Sequence, residues 1–236
     1  MPKGHKVVVV VPEKTSIDKI NVLKSFGADI YRTGNRALLV GEADEDSFVG
    51  LAKKLAEKIP NAILVDEFSG GFNADVHYNE TAEEILQAFS GSSVDLVVIP
   101  VESAGTLVGV ARKLKEKMPQ AKVIAVDARG SALSKPERTP DVGQYKMEAI
   151  GNAFIPALLS SAPQDLVPHW RVVTDKEAFG AARALVKQAG LMVGSSSGAA
   201  FAAALKEVEA IGLAPGKNVV VLFNDSAANY ASTLLK

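Results

Sequence analysis

The segment Val101-Glu-Ser-Ala-Gly-Thr-Leu107 joins an apolar run, Leu96–Pro100, to a helical pattern. A strand followed by a small-residue turn and a helix start is typical of a phosphate site, because the free N–H groups of the first helical turn point at the anion. Glu102 places a carboxylate in this turn, and a carboxylate repels a phosphate. The segment therefore predicts the backbone of an anion site with side-chain chemistry that opposes an anion.

The composition is that of an ordinary globular chain of 236 residues, with 47 % hydrophobic residues and a net charge of −1. The small net charge gives no electrostatic reason to expect nucleic-acid binding, and the apolar runs are too short to span a membrane. The chain has no cysteine, which excludes disulfides and thiolate catalysis. Since no leader precedes the first strand, we expect the cytoplasm or the interior of an organelle rather than secretion.

Hydrophobic periodicity predicts alternating strands and helices, which is typical of parallel sheets with right-handed crossovers. A loop over 69–79, rich in Gly, Asn and Asp, is predicted to join two lobes. These are a partial smaller domain, 1–68, and a larger α/β domain, 69–236. The predicted strands are 6–11, 29–32, 62–65, 94–99, 121–127, 169–173 and 218–223, and the predicted helices are 16–26, 44–58, 82–89, 105–117, 175–189, 197–211 and 226–234.

Several motifs carry a family resemblance, and they stay in order along the chain. They are Val11-Pro-Glu-Lys14, Phe26-Gly-Ala-Asp-Ile30, Asn73-x-x-x-His77-Tyr78, Gly109-Val-Ala-Arg-Lys-Leu-Lys-Glu-Lys117, Ile150-Gly-Asn-Ala-Phe-Ile-Pro156, Gly194-Ser-Ser-Ser-Gly198 and Asn224-Asp-Ser226. The chain resembles the cysteine synthase and cystathionine β-synthase family, which uses pyridoxal phosphate (PLP) on fold type II. The resemblance implies a two-lobed, parallel-sheet α/β fold of the tryptophan-synthase-β type, truncated at its N-terminus.

The resemblance also implies site residues, and the sequence departs from the family at several of them. The family's PLP lysine falls in a segment that would precede Met1, so we expect no catalytic residue here. The family's phosphate loop, Gly-Thr-Gly-Gly-Thr, corresponds to residues 102–106, where Glu102 and Ala104 replace two glycines. The expected vestigial cofactor-binding residues are Ser103, Gly105, Thr106 and Ser196, of which Ser196 would bond the pyridine nitrogen.

Each site residue also has a purely structural interpretation, which the sequence leaves open. Residues 102–106 suit an ordinary strand-to-helix turn, with Glu102 at the positive end of the helix dipole. The serines before Gly198 suit a helix N-cap. Gly151 lies in a stretch that lines the family's substrate pocket, or it serves a tight turn. Lys14 and Lys19 are expected on the charged surface, and the three histidines show no spacing typical of a metal site.

Two functions follow from the resemblance and its departures. The first is a pseudoenzyme without cofactor, acting as a structural or interaction subunit, with a protein partner or a second copy covering the truncated face. The alternative is a truncated or split PLP-dependent β-replacement enzyme that makes cysteine or cystathionine from serine or O-acetylserine.

Overall fold

The computed structural model describes residues 4–34, 47–134, 145–166 and 169–234. Among these residues, no helix combines the length and hydropathy needed to span a membrane. The strands are β1 (Val8–Pro12), β2 (Asp29–Thr33), β3 (Leu96–Pro100), β4 (Lys122–Ala128), β5 (His169–Val173) and β6 (Val219–Val221). The helices are α1 (Ile17–Ser25), α2 (Phe48–Lys58), α3 (Gly71–Val76), α4 (Ala82–Ala88), α5 (Gly105–Lys117), α6 (Ala157–Ser160), α7 (Asp175–Ala189), α8 (Ser195–Ala210) and α9 (Ala231–Leu234), with a π-helical turn at His77–Thr81 and a 3-10 turn at Ala227–Tyr230.

Two parallel sheets form the frame, as the alternation of strands and helices predicts. One has the order β5-β4-β3-β6, and the other pairs β1 with β2. All five residues of β3 are buried, which is expected for a central strand covered on both faces. The predicted strand over 62–65 is wrong. That segment is irregular, and the Ile63 side chain is 89 % exposed. The apolar side chains there are not buried against the protein, so burial does not stabilise a strand.

Alternate side chains of β3 enter two different hydrophobic clusters. Val97 and Ile99 pack with apolar residues of α5, whereas Leu96 and Val98 pack with the alanines of α8. Close helix packing explains Gly198 on α8, because a Cβ atom there would lie 2.2 Å from the carbonyl oxygen of Ala178 on α7. The helices therefore hold the large sheet on both sides, with the carboxyl end of β3 leading into residues 101–104.

The predicted loop over 69–79 is mostly helical, because α3 runs through the π-helical turn into α4. Thr81 does not cap a helix; its hydroxyl lies 2.9 Å from the ring Nδ1 of His77. A capping box begins α7, since the Thr174 hydroxyl accepts from the Glu177 N–H and the Glu177 carboxylate accepts from the Thr174 N–H. Helix α2 begins at Phe48, and residues 44–46 of its predicted span lie outside the described residues.

Candidate cofactor cleft

The turn between β3 and α5 has the predicted strand–turn–helix form. Helix α5 begins at Gly105 and runs for 13 residues, and its N-cap, Ala104, has a left-handed backbone with φ 72° and makes no side-chain cap bond. Glycine adopts this conformation without strain, whereas other L-residues pay about 1–2 kcal/mol for it. The alanine therefore occupies a backbone position suited to glycine.

The hydroxyl groups expected to face a phosphate already have partners in the protein. The Asn73 side-chain amide donates to Ser103 Oγ over 3.2 Å, and the Thr106 hydroxyl lies 3.1 Å from His77 Nε2. Gly105 lies against Asn73 so closely that a Cβ atom would come within 2.1 Å of its Oδ1 atom. A cavity of about 90 Å³ is lined by this turn together with Ala149 and Asn224. The structure thus brings Ser103, Gly105 and Thr106 together at one small cavity.

Ser196 lies at the start of α8 and does not line this cavity. The side chain is fully buried, and its hydroxyl finds no hydrogen-bond partner in the described part of the protein. The N-cap of α8 is Gly194, without a side-chain cap bond, so the interpretation of Ser196 as a capping residue is wrong. A buried hydroxyl without a partner costs about 1–3 kcal/mol, which marks Ser196 as a position where an external partner would be favourable.

A larger cavity of about 240 Å³ opens beside the turn, between the end of β1 and residues 145–153. Glu102 and Ala149 line both cavities. The ionisable side chains on the larger cavity are Lys14, Lys19, Glu67, Glu102, Tyr145 and Glu148. We call these six residues the cleft cluster. The two lysines belong to the cleft, so the prediction that they serve a charged surface is wrong.

Charges within the cleft cluster compensate each other only partly. Lys19 Nζ lies 3.5 Å from the Glu148 carboxylate, which also accepts a hydrogen bond from the Ser16 N–H over 3.0 Å. Lys14 Nζ lies 4.2 Å from the centre of the Tyr145 ring. Glu102 makes no hydrogen bond within the residues that the structure describes. Three carboxylates thus face two ammonium groups.

This crowding changes the proton affinities of the cluster. Burial, together with the nearby charge of Glu67, raises the pKa of Glu102 to about 7. Burial likewise raises the pKa values of Glu67 and Glu148, and it lowers the pKa of Lys14. Each shift disfavours the charged form, as expected where desolvation outweighs pairing. The turn where an anion would bind therefore carries a carboxyl group, Glu102, whose ionised form is disfavoured by burial and by the charge of Glu67.

Backbone conformation shapes the opposite wall of the cleft. Ala149 and Gly151 have φ values of 57° and 77°, and the Gly151 N–H donates to the Val101 carbonyl over 2.7 Å. A Cβ atom at Gly151 would meet the Tyr145 hydroxyl at 2.9 Å. Gly151 therefore forms a tight turn and also lines the cavity, so both interpretations of this residue apply. Ala149, like Ala104, places a side chain where the backbone favours glycine.

Three cleft residues were not among the predicted site residues: Glu67, Tyr145 and Glu148. Tyr145 and Glu148 immediately precede the Ile150–Pro156 motif, and this adjacency was the available signal. Glu67 follows an irregular segment without periodicity, so no sequence pattern marked it. Within the described ranges, no group of histidine, aspartate and glutamate side chains is arranged to hold a metal ion.

Comparisons with known proteins find similar sequences that cover nearly the whole chain. The family described as "Pyridoxal-phosphate dependent enzyme" matches residues 2–225. Cystathionine beta-synthase of Oryctolagus cuniculus is 41 % identical over 99 % of this chain and 41 % of its own length. Cysteine synthase of Helicobacter pylori strain J99 is 36 % identical over 98 % of this chain and 70 % of its own. The chain thus spans about two fifths of the length of the mammalian relative.

A solved structure confirms the fold expected from the resemblance. The crystal structure of O-acetylserine dependent cystathionine beta-synthase from Helicobacter pylori has a TM-score of 0.83 and 34 % identity, covering 97 % of this chain and 69 % of that one. The expectation that no cofactor belongs to this chain is wrong at the level of the family, because the matching family is described as PLP-dependent. PLP is therefore the group against which the cleft has to be tested.

The residues of the cleft fit the two ends of PLP unequally. The buried, unpartnered Ser196 hydroxyl suits a pyridine nitrogen, which accepts a hydrogen bond. At the other end, an ionised Glu102 opposes a phosphate dianion by about 1–4 kcal/mol for each pair of charges 4 Å apart. The side chains of Ala104 and Ala149 also line the small cavity. The Ser196 hydroxyl therefore suits a pyridine nitrogen, whereas the turn that carries Glu102 does not suit a dianionic phosphate.

Proposed function

Because the chain belongs to the PLP-dependent enzyme family, we propose that it is a degenerate cystathionine β-synthase- and cysteine synthase-like member. In this proposal its own residues do not carry out β-replacement, and the chain acts as a structural or interaction subunit. The observation that carries the proposal is Glu102, a carboxylate without a hydrogen-bond partner among the described residues, at the N-terminus of α5. When bound, PLP supplies an electron sink for carbanion chemistry, and that chemistry requires a well-held cofactor.

The contacts that the remaining cleft residues make within the chain support this proposal. The hydroxyls of Ser103 and Thr106 bond Asn73 and His77, so they anchor α3 and the π-helical turn to α5. Lys19 pairs with Glu148, which in turn accepts from the Ser16 N–H. These contacts join α1 to residues 145–153. The polar groups of the cleft thus stabilise the packing of the small sheet's helix against the large domain.

Exposed apolar side chains support an interaction role. Ile63 and Val65, on the irregular segment after α2, are 89 % and 77 % exposed, and Phe26 at the end of α1 is 67 % exposed. Large apolar groups left in water favour association. We propose that a partner protein or a second copy of the chain covers this region. The division of the chain into lobes at residues 68 and 69 is part of the same proposal.

The test is an assay of cystathionine and cysteine formation. The purified chain is incubated with excess PLP, L-serine or O-acetylserine, and homocysteine or sulfide. We expect no product above the buffer control for the wild-type chain. Glu102→Gly combined with Ala104→Gly should raise its PLP affinity by at least about tenfold, since one charge pair and one crowding side chain are removed. Product formation by the wild-type chain would refute the proposal.

Matched variants separate the effect of charge from that of space. Glu102→Gln keeps the volume and removes the charge, whereas Ala149→Gly opens the cavity and keeps the charge. If electrostatic repulsion limits PLP, the first variant should recover most of the affinity and the second little. Native mass spectrometry of the wild-type chain supplies the test of the subunit role, because a strictly monomeric species in native extracts would contradict it.

The second candidate function is a split or truncated β-replacement enzyme, and Ser196 is the observation that favours it. Its hydroxyl is buried and has no described partner, as expected for a group that bonds a cofactor ring. In this alternative another polypeptide supplies the lysine that binds PLP. Activity that appears only when the chain is mixed with such a polypeptide, and that is lost in Ser196→Ala, would establish it.

A further inference from the structure

We propose that the 240 Å³ cavity binds a small organic molecule through a primary ammonium group, held by the carboxylates of Glu102 and Glu67. The proposal deepens the proposed function, since it names a ligand class for the same cleft. It does not depend on whether β-replacement is absent, because binding is measured without PLP or substrates. It rests on an imbalance of charge, on the space available and on an unpartnered hydroxyl.

The imbalance of charge comes from the cleft cluster itself. Glu148 is compensated by Lys19, whose Nζ lies 3.5 Å away. Lys14 lies over the Tyr145 ring and is the cation closest in effect to Glu102. Among the residues that the structure describes, no cation compensates Glu67 in the same way, and the charge of Glu67 acts on Glu102 unfavourably. One further positive charge in the cavity would therefore neutralise the cluster, and an ammonium donates three hydrogen bonds to carboxylate acceptors.

Tyr145 gives the second, independent observation. The residue is 4 % exposed, lines the cavity, and its hydroxyl has no hydrogen-bond partner within the described residues. Buried hydroxyls are normally bonded to protein or to an external group. A ligand of amino-acid size fits a cavity of about 240 Å³, and any polar atom on it could accept from this hydroxyl. The same cavity thus offers carboxylates for an ammonium group, space for the ligand, and a hydroxyl that can donate a hydrogen bond.

The excess of carboxylates in the cavity favours a positively charged ligand over a negatively charged one. A phosphate or carboxylate ligand would add to the excess of negative groups, whereas a neutral alcohol would leave it unchanged. Val10, Val11 and Phe68 contribute apolar wall, which suits a short carbon chain attached to the ammonium. The structure therefore favours a compact alkylammonium over an anion of equal size.

The test uses two probes of equal shape and different charge. Isothermal titration calorimetry of the full chain is performed with 1-aminobutane and with 1-butanol, in a phosphate-free buffer at pH 8. We expect saturable binding of the amine and none of the alcohol. Glu102→Gln should weaken amine binding at least about tenfold, because it removes one opposite charge from the site. Equal binding of both probes, or an unchanged amine affinity in this variant, would overturn the proposal.

Two more variants keep the test decisive if Glu102→Gln folds poorly. Glu67→Gln, which neutralises the second carboxylate proposed to hold the ammonium, should also weaken amine binding. Glu209→Gln removes a carboxylate from the exposed end of α8 and should leave the affinity unchanged. Equal weakening by both variants would show that the amine responds to overall charge alone, and it would refute a site in the cleft.

Discussion

Replacing Glu102 by glutamine should stabilise the protein at neutral and alkaline pH, and the gain in unfolding free energy follows from the shifted pKa of Glu102. The side chain has a pKa of about 7 in the folded protein, against a reference of 4.5. A carboxyl group with a raised folded-state pKa binds its proton more tightly when folded. It therefore destabilises the fold increasingly as the pH rises from 4.5 to 7, and by a constant amount above that.

The magnitude follows from the difference of about 2.5 pKa units, which corresponds to about 3 kcal/mol at pH 8. Between pH 5 and pH 8, the wild-type chain should lose about 2.5 kcal/mol of unfolding free energy relative to the glutamine variant. Glutamine has nearly the shape of the protonated acid, so packing is preserved. The repulsion of Glu102 by Glu67 and Glu148 is absent from the variant, and it forms part of this difference.

Urea unfolding followed by tryptophan fluorescence is a suitable assay, because the chain has a single tryptophan, Trp170 on β5. Curves are recorded at several pH values for the wild type, Glu102→Gln and the surface control Glu209→Gln. The control should run parallel to the wild type at every pH. A difference between Glu102→Gln and the wild type that stays constant from pH 5 to 8 would refute the argument, because it would show that Glu102 is ionised normally in the folded protein.

Two further predictions concern α8, which packs on the four-stranded sheet. The Glu207 carboxylate is 1 % exposed and accepts hydrogen bonds from Lys122 and Arg171. Burial alone would raise the pKa of Glu207, but these hydrogen bonds outweigh burial and lower the pKa. The stabilisation that they provide should therefore be lost as the pH falls below about 4.5. Removing both cations with Lys122→Ala and Arg171→Ala should cost about 3–5 kcal/mol in urea unfolding, and a loss under about 1 kcal/mol would show that water reaches the carboxylate. Gly198→Ala should destabilise the protein by about 1–3 kcal/mol, because the new Cβ atom would collide with α7. Gly180→Ala, at a position on α7 with open space around it, should stabilise the protein by up to about 1 kcal/mol. Similar melting temperatures for the two variants would contradict this packing.

The parallel-sheet fold could be predicted because its signals are local. Buried strands such as β3 require a continuous apolar run, and helices such as α7 require a capping box and a hydrophobic stripe, so each element is encoded within its own residues. The segment 62–65 shows the limit of this argument. Its composition suits a strand, but a strand also requires a partner, and pairing is decided by residues far away in sequence.

The cleft was predictable only in part, and for the same reason. Ser103, Gly105 and Thr106 are neighbours in sequence, so a motif places them at one turn. Lys14, Tyr145 and Glu148 reach the cavity from distant segments, and nothing local separates them from surface residues. Their altered pKa values depend on burial and on one another, which are properties of the assembled cleft.

The amino-acid sequence alone determined that this chain has the strand–turn–helix backbone of an anion site, with a carboxylate in the turn. Only the tertiary structure decided what surrounds that carboxylate: two lysines that line the larger cavity, and two alanines in left-handed backbone positions that line the smaller one. The physical reason is that covalent order fixes which groups a turn contains, whereas desolvation and charge compensation depend on which distant groups fold against it.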